Sequence, residues 1–373
     1  HDPSRKGLLY AGTEGGVYLS LDDGETWESL QLNLPKVPIH DMIVKDLDLV
    51  VATHGRAIWI LDDLSPLHQI DKQNINQAIT LFKPRTTTRY IYHPSMFQTL
   101  AYKKAPLNKK IFELYGYAGT PATYILKKDD QSNIKPYFLN SGHNPPNGII
   151  INYYLPKEIN SKMYLEIKDK NDITFYNRFL SSHKGLNRFI WDMKYPEPSN
   201  FSKMPSSKFP VDILIPPGKY KVLLKSNNKI YSQNLDVIKD IRNKTPNKSI
   251  YKQFQLMIKI RNSISKCIES IEKIENIIIS NNKKFNTHNK YSSTVVKEIT
   301  EIEKIIRFGI NSNEPSRGYP YPQGLISRLA ALSETVGLGD RSPSKQSEEV
   351  YKKLNKTTIE FSNKIEKLSK ETK

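Results

Sequence analysis

The eight residues Ser20-Leu21-Asp22-Asp23-Gly24-Glu25-Thr26-Trp27 constrain this chain more than any other stretch. They lie between β-rich runs, Leu8 to Thr13 and Gly16 to Leu19 before them and Trp27 to Leu30 after. Their chemistry is that of a tight hairpin. Ser and Asp side chains accept hydrogen bonds from backbone N–H groups close by in sequence. Gly24 supplies a positive φ that β-branched residues do not tolerate. Thr26 and Trp27 return the chain to a strand, and the indole is large enough to bury over the turn.

Residues 1–67 repeat this strand-and-turn pattern. His1-Asp2-Pro3 reads as the end of a strand. Leu8 to Thr13, Gly16 to Ser20 and Trp27 to Leu30 make a first set. Ile39 to Val44, Asp48 to Thr53 and Ala57 to Asp62 make a second, which stops where Pro66 breaks the pattern. Short strands at even spacing predict an all-β repeat architecture. The second set is one strand short of the first, which leaves an edge for another strand to cover.

The spacing Ser20-x-Asp22-x-Gly24-x-Thr26-Trp27 resembles the Asp-box, or BNR repeat, of sialidases, sortilin-type receptors and xyloglucanase-type glycoside hydrolases. Trp27 to Pro35, Pro38-Ile39-His40-Asp41 and Val51 to Asp63 resemble the last blades of a group of bacterial secreted BNR-repeat proteins. Those proteins are described as glycosyl-hydrolase-like or sortilin-like. The resemblance implies a β-propeller whose Asp-box lies on the outer part of a blade, away from any central site. Ser20, Asp22, Gly24, Thr26 and Trp27 are then structural. It implies that residues 1–67 are the last blades of a propeller whose other blades lie upstream in the same protein. A β-sandwich and a helical tail follow. It also implies export: a secreted, periplasmic or cell-surface protein with a signal peptide upstream of His1.

The rest of the chain is read on that plan. Residues 68–140 form an interdomain crossing segment with strands near Ala78 to Pro84 and Arg89 to Tyr92. Its aromatics, among them Tyr90, Tyr92, Phe97 and Tyr102, either pack between domains or stack on sugar rings. Residues 141–240 alternate apolar and polar side chains in several runs and predict a β-sandwich. Its strands Gly185 to Asp192 and Pro216 to Tyr220 resemble those of fibronectin-type or immunoglobulin-like accessory domains, which implies Trp191 as the core tryptophan. Residues 246–373 switch to three- and four-residue apolar steps and predict an α-helical bundle. The expected fold class is therefore multidomain, β then α.

Two readings stand for His54 and Arg56, which flank Gly55. They point into a propeller channel and bind a polysaccharide or peptide ligand. Alternatively, Arg56 pairs with Asp62 or Asp63 across the hairpin while His54 caps the turn.

Other chemistries find little support. The sequence has no His/Cys cluster for a metal, no Gly-rich phosphate loop and no Gly-x-Ser-x-Gly elbow, so neither a metal nor a cofactor is expected. Glycoside hydrolysis needs two carboxylates flanking one bond. Asp22, Asp23, Asp41, Asp46, Asp48, Asp62 and Asp63 are available, but none is paired with a second acid by sequence logic, so no catalytic residue is assigned. Net charge is +18 overall and −6 over residues 1–70, leaving +24 on the remainder. The lysines are scattered singly, without an arginine cluster or aromatic platform, which argues against nucleic acid. No apolar run reaches the roughly 18 residues of a membrane span. The one cysteine, Cys267, falls on a helical apolar stripe and is expected as a buried thiol. Three functions remain: a non-catalytic scaffold or binding protein, a glycoside hydrolase whose acids lie in upstream blades, and a sortilin-like peptide receptor.

Overall fold

The structure is a computed structural model that describes residues 1–72, 75–90, 112–115, 121–128, 134–139, 142, 145–201, 211–284, 293–307 and 324–371. Tyr92, Phe97 and Tyr102 of the aromatic run lie outside these residues. The order is β then α, with several sheets followed by long helices.

The first strands are β1 (Leu9–Thr13), β2 (Gly16–Ser20) and β3 (Glu28–Ser29), then β4 (Ile39–Lys45), β5 (Asp48–Thr53) and β6 (Ile58–Leu61). A short helix α1 (Ser65–Gln69) starts with Pro66 in its first turn, where a missing N–H costs nothing. Next come β7 (Thr80–Leu81), β8 (Thr87–Arg89), β9 (Phe112–Tyr115), β10 (Pro121–Lys128) and β11 (Ile134–Phe138). They are followed by β12 (Ile149–Leu155), β13 (Met163–Lys168), β14 (Thr174–Leu180), β15 (Gly185–Trp191), β16 (Lys194–Tyr195), β17 (Ile213–Leu214), β18 (Gly218–Ser226) and β19 (Lys229–Lys239). The helices are α2 (Asn247–Lys284), α3 (Ser293–Arg307), α4 (Leu325–Gly337) and α5 (Lys345–Glu371). Among the described residues no helix is long and apolar enough to cross a membrane.

The strands assemble as β1-β2-β3, β4-β5-β6, β11-β10-β9, β15-β12-β7, β14-β13-β18-β19-β8 and β16-β17. Strands β7 and β8, from the stretch read as a crossing segment, thus join sheets built from residues beyond 141. Two hairpins turn on residues with positive φ. Asp46 and Leu47 (φ 52° and 69°) join β4 to β5, and Asn227 and Asn228 (φ 47° and 62°) join β18 to β19. Paired positive φ values match the right-handed twist of the flanking strands.

The chain divides into two compact units, one of residues 1–167, 177–192 and 220–236, the other of residues 168–176, 193–219 and 237–373. In the first unit, the sheets β1-β2-β3 and β4-β5-β6 share a core of Val17, Leu49, Val51 and Leu64, with Tyr10, Ile39, Met42, Val44, Trp59 and Leu61 packed against it. The approach is close at Gly12, where a Cβ would lie 2.7 Å from Ile39 Cγ2. A register shift in β4 between Ile39 and Asp41 lets both Ile39 and Met42 join this core. Strict alternation would send two residues three apart to opposite faces.

Also in the first unit, β12 runs between β15 and β7 and is buried along nearly its whole length. Ile149 pairs with Trp191, Ile151 with Phe189 and Leu155 with Gly185. Asn187, Phe189 and Trp191 form the buried row of β15, and Trp191 is fully buried. On β13, Met163, Leu165 and Ile167 are buried, as are Tyr220, Val222 and Leu224 on β18. The period of two seen in the sequence is therefore a burial period.

In the second unit, α2 supplies Ile260, Ile264, Ile271 and Ile274 to a core shared with Ile299, Ile302 and Ile306 of α3, Leu329 and Ala330 of α4, and Ile365 of α5. Cys267 is buried in it, with its Sγ 3.8 Å from Thr358 Oγ1. Burial pushes the thiol up to about 12, so it is an inert core group. Gly324 opens α4 where a Cβ would meet the Arg307 carbonyl oxygen at 2.3 Å, so only glycine fits.

Candidate functional site

The structure brings Ser20, Asp22, Gly24, Thr26 and Trp27 into one turn. Asp22 Oδ1 accepts from Ser20 Oγ at 2.8 Å and from the Thr26 N–H at 2.9 Å. Its Oδ2 accepts from Thr26 Oγ1 at 2.5 Å, and the Gly24 N–H donates to Ser20 Oγ at 2.9 Å. Gly24 has φ 96° and Asp23 has φ 60°. The indole N–H of Trp27 donates to the Gly24 carbonyl at 3.1 Å, but the ring is 44% exposed rather than buried. It lies at the entry to the two-residue strand β3 at the edge of its sheet.

Sequence reading missed a partner for this turn. Lys72 Nζ donates to Asp22 Oδ2 at 2.7 Å and also to Thr26 Oγ1. Together with Thr26 and Ser20, it holds the Asp22 carboxyl well below the usual carboxylate range. The neighbouring ties run the same way. Asp2 is buried; its Oδ1 accepts from the Ser4 and Arg5 N–H groups, and its Oδ2 contacts Tyr10 Oη at 3.0 Å and His68 Nε2 at 2.8 Å. Burial alone would raise this carboxyl, but the bonds from His68, Ser4 and Tyr10 outweigh it and leave it lowered. Tyr10 is raised by burial and by Asp2. The Arg5 guanidinium donates to the carbonyls of Leu67 and Ile70, near the end of α1. Residues 67–72 are thus strapped onto the β1-β2-β3 sheet and its turn, a link 50 to 66 residues long that no local pattern announces.

His54 and Arg56 lie on the turn between β5 and β6 and are exposed. The Thr53 hydroxyl and the Trp59 indole N–H fix the turn by donating to the carbonyls of Ala57 and Arg56. The Arg56 side chain does not pair with Asp62 or Asp63; it makes no hydrogen bond or ion pair among the described residues. Asp63 is buried and occupied elsewhere: its Oδ2 accepts from Asn152 Nδ2 at 2.9 Å and its Oδ1 from the Ser65 N–H at 3.3 Å. The His54 N–H donates to the Pro38 carbonyl, and its ring centroid lies 4.9 Å from that of His40. His40 is a neighbour that sequence reading did not single out.

The remaining charge cluster surrounds Asp62. Asp48 Oδ1 accepts from Arg85 Nη1 at 2.7 Å and from the Asp63 N–H at 2.9 Å. Arg188 Nε donates to Asn152 Oδ1 at 3.4 Å and its Nη2 to the Asp62 carbonyl at 3.4 Å. Burial and the Asp48 charge raise the Asp62 carboxyl, against the opposing pull of Arg188 and Arg85. In the folded chain the ionised form of Asp62 is therefore disfavoured. Its contribution to stability is fully present below the ordinary carboxylate value and is lost as pH rises through the raised one. Asp62→Asn should be more stable than the parent at pH 7, by less than about 1 kcal/mol because the group is half-exposed. That gain should shrink to nothing in acid. Thermal melts across the acid range check this, and a variant less stable at neutral pH would contradict it.

Among the described residues no group of three or more His, Cys, Asp or Glu side chains could hold a metal. No family model, no curated protein and no solved structure matches this chain. Its site must therefore be read from its own geometry, in which Asp22, Asp48 and Asp63 are each held in hydrogen bonds within the fold and the side chains of His40, His54 and Arg56 are exposed, with no hydrogen bond or ion pair among the described residues.

Proposed function

We propose that this chain is part of an exported Asp-box β-propeller protein, in which it acts as a non-catalytic scaffold and binding surface. One observation carries the reading. The β4-β5-β6 sheet has two apolar faces. Met42, Val44, Val51, Trp59 and Leu61 pack into the core shared with β1-β2-β3. Ile43, Ile58 and Ile60 are 61%, 68% and 57% exposed. The pairing Ile43↔Val50↔Ile60 puts this second row directly across all three strands.

β-branched residues on both faces suit a sheet sandwiched between two others. Among the described residues strand β6 ends its sheet, so its outer edge offers a place for a further strand. A preceding blade would cover the isoleucine row, and a closing strand would extend β6. The scaffold role is supported by the engagement of Asp22 with Lys72, Asp48 with Arg85 and Asp63 with Asn152, each in structural bonding.

The test substitutes Ile43→Ser and Ile60→Ser together in the polypeptide as the source cell makes it. If another sheet covers the row, the pair should lower stability by about 2–5 kcal/mol, the range for emptying apolar contacts. An unchanged or raised melting temperature would mean that the row faces water and would overturn the reading.

A further inference from the structure

We propose that His40, His54 and Arg56 form a binding site for an oxyanion group, a carboxylate, sulfate or phosphate carried by a ligand. Three observations converge on it. The two imidazoles are neighbours, with centroids 4.9 Å apart and planes tilted by 39°. Arg56 is on the same turn as His54, separated from it by Gly55, whose φ of 72° sets the turn. All three side chains are exposed, and none makes a hydrogen bond or ion pair among the described residues.

Residues 1–70 carry eleven acids against five Lys and Arg. Of those five, Arg5 is bonded to backbone carbonyls and Lys45 lies 3.6 Å from Asp46, while Lys6, Lys36 and Arg56 make no side-chain hydrogen bond or ion pair among the described residues. Of these three, Arg56 shares the turn of His54. An open guanidinium offers a planar fork of donors suited to an oxyanion.

A bis-imidazole pair can instead chelate a transition metal. The permanent charge of Arg56 on the same turn opposes a cation and favours an anion. The acid next to His40 in sequence is Asp41, whose Oδ1 accepts the Met42 N–H. Its charge opposes an anion, so the Arg56 guanidinium must outweigh it, with the imidazole N–H groups as further donors. A chelated metal would instead take the ring nitrogens and displace their protons. The site does not depend on the propeller reading.

The experiment is an NMR titration of the His40 and His54 imidazole resonances with sodium sulfate, sodium phosphate and sodium acetate, each against sodium chloride at equal ionic strength. Both rings should shift saturably with at least one oxyanion. Arg56→Gln should weaken binding severalfold, and so should His40→Asn with His54→Asn, read on the Arg56 side-chain N–H resonance. The three salts separate carboxylate from sulfate and phosphate ligands. Shifts matched by chloride, or unchanged in Arg56→Gln, would mean an adventitious ion only and would overturn the assignment. So would stronger binding of zinc than of any oxyanion at neutral pH.

Discussion

Trp191→Ala is expected to lower the unfolding free energy by about 3–5 kcal/mol, the cost of removing a large aromatic from a filled interior. Trp191 is fully buried at the end of β15, opposite Ile149. The strand that carries it is paired along its whole length with the buried strand β12. Paired backbone of this kind has little freedom to move in and fill the void left by the indole, so most of the cavity cost should appear. Trp191→Phe keeps most of the ring volume and should lose less. Equilibrium urea unfolding measures both; an alanine variant within about 1 kcal/mol of the parent would show that the indole is not a core group.

Asp63→Ala should cost about 3 kcal/mol, while Asp63→Asn should cost under about 1 kcal/mol. Asp63 is buried and has φ 67°, a conformation that Asp and Asn tolerate far better than Ala. Its two oxygens satisfy the Ser65 N–H and Asn152 Nδ2, joining the end of the β4-β5-β6 sheet to β12. Alanine removes both acceptors, leaves the buried Asn152 amide short of a partner and strains the backbone. Asparagine keeps one acceptor and the backbone conformation. Equal losses in the two variants, read by the same unfolding curves, would exclude this account.

What the sequence made legible follows the distance over which each interaction acts. The turn at Asp22 was readable because its Ser20, Gly24 and Thr26 bonds span four residues or fewer. The long helix after Pro246 was readable because a repeating apolar stripe announces a buried face over its whole length, and α2 runs Asn247–Lys284. Lys72 on Asp22, Asn152 on Asp63 and Arg85 on Asp48 were not readable, since their partners lie 37 to 89 residues apart. The cross-hairpin partner expected for Arg56 failed for the same reason. Local reach allowed it, but Asp63 was already taken by a residue from β12. The neighbour of His54 was missed because the register shift in β4 changes which side chains sit together at that end of the sheet.

The strap over residues 67–72 has a consequence for how this part of the chain opens. Three ties, at Asp2–His68, Arg5–Ile70 and Asp22–Lys72, close rings of nearly the same size around the same polypeptide. The entropy of ring closure grows only slowly with length, about 0.6 kcal/mol per doubling, so once one tie is made the others add almost no further cost. Losing one tie therefore leaves the ring closed by the other two, and residues 1–72 are expected to part as a hoop only when all three fastenings are gone.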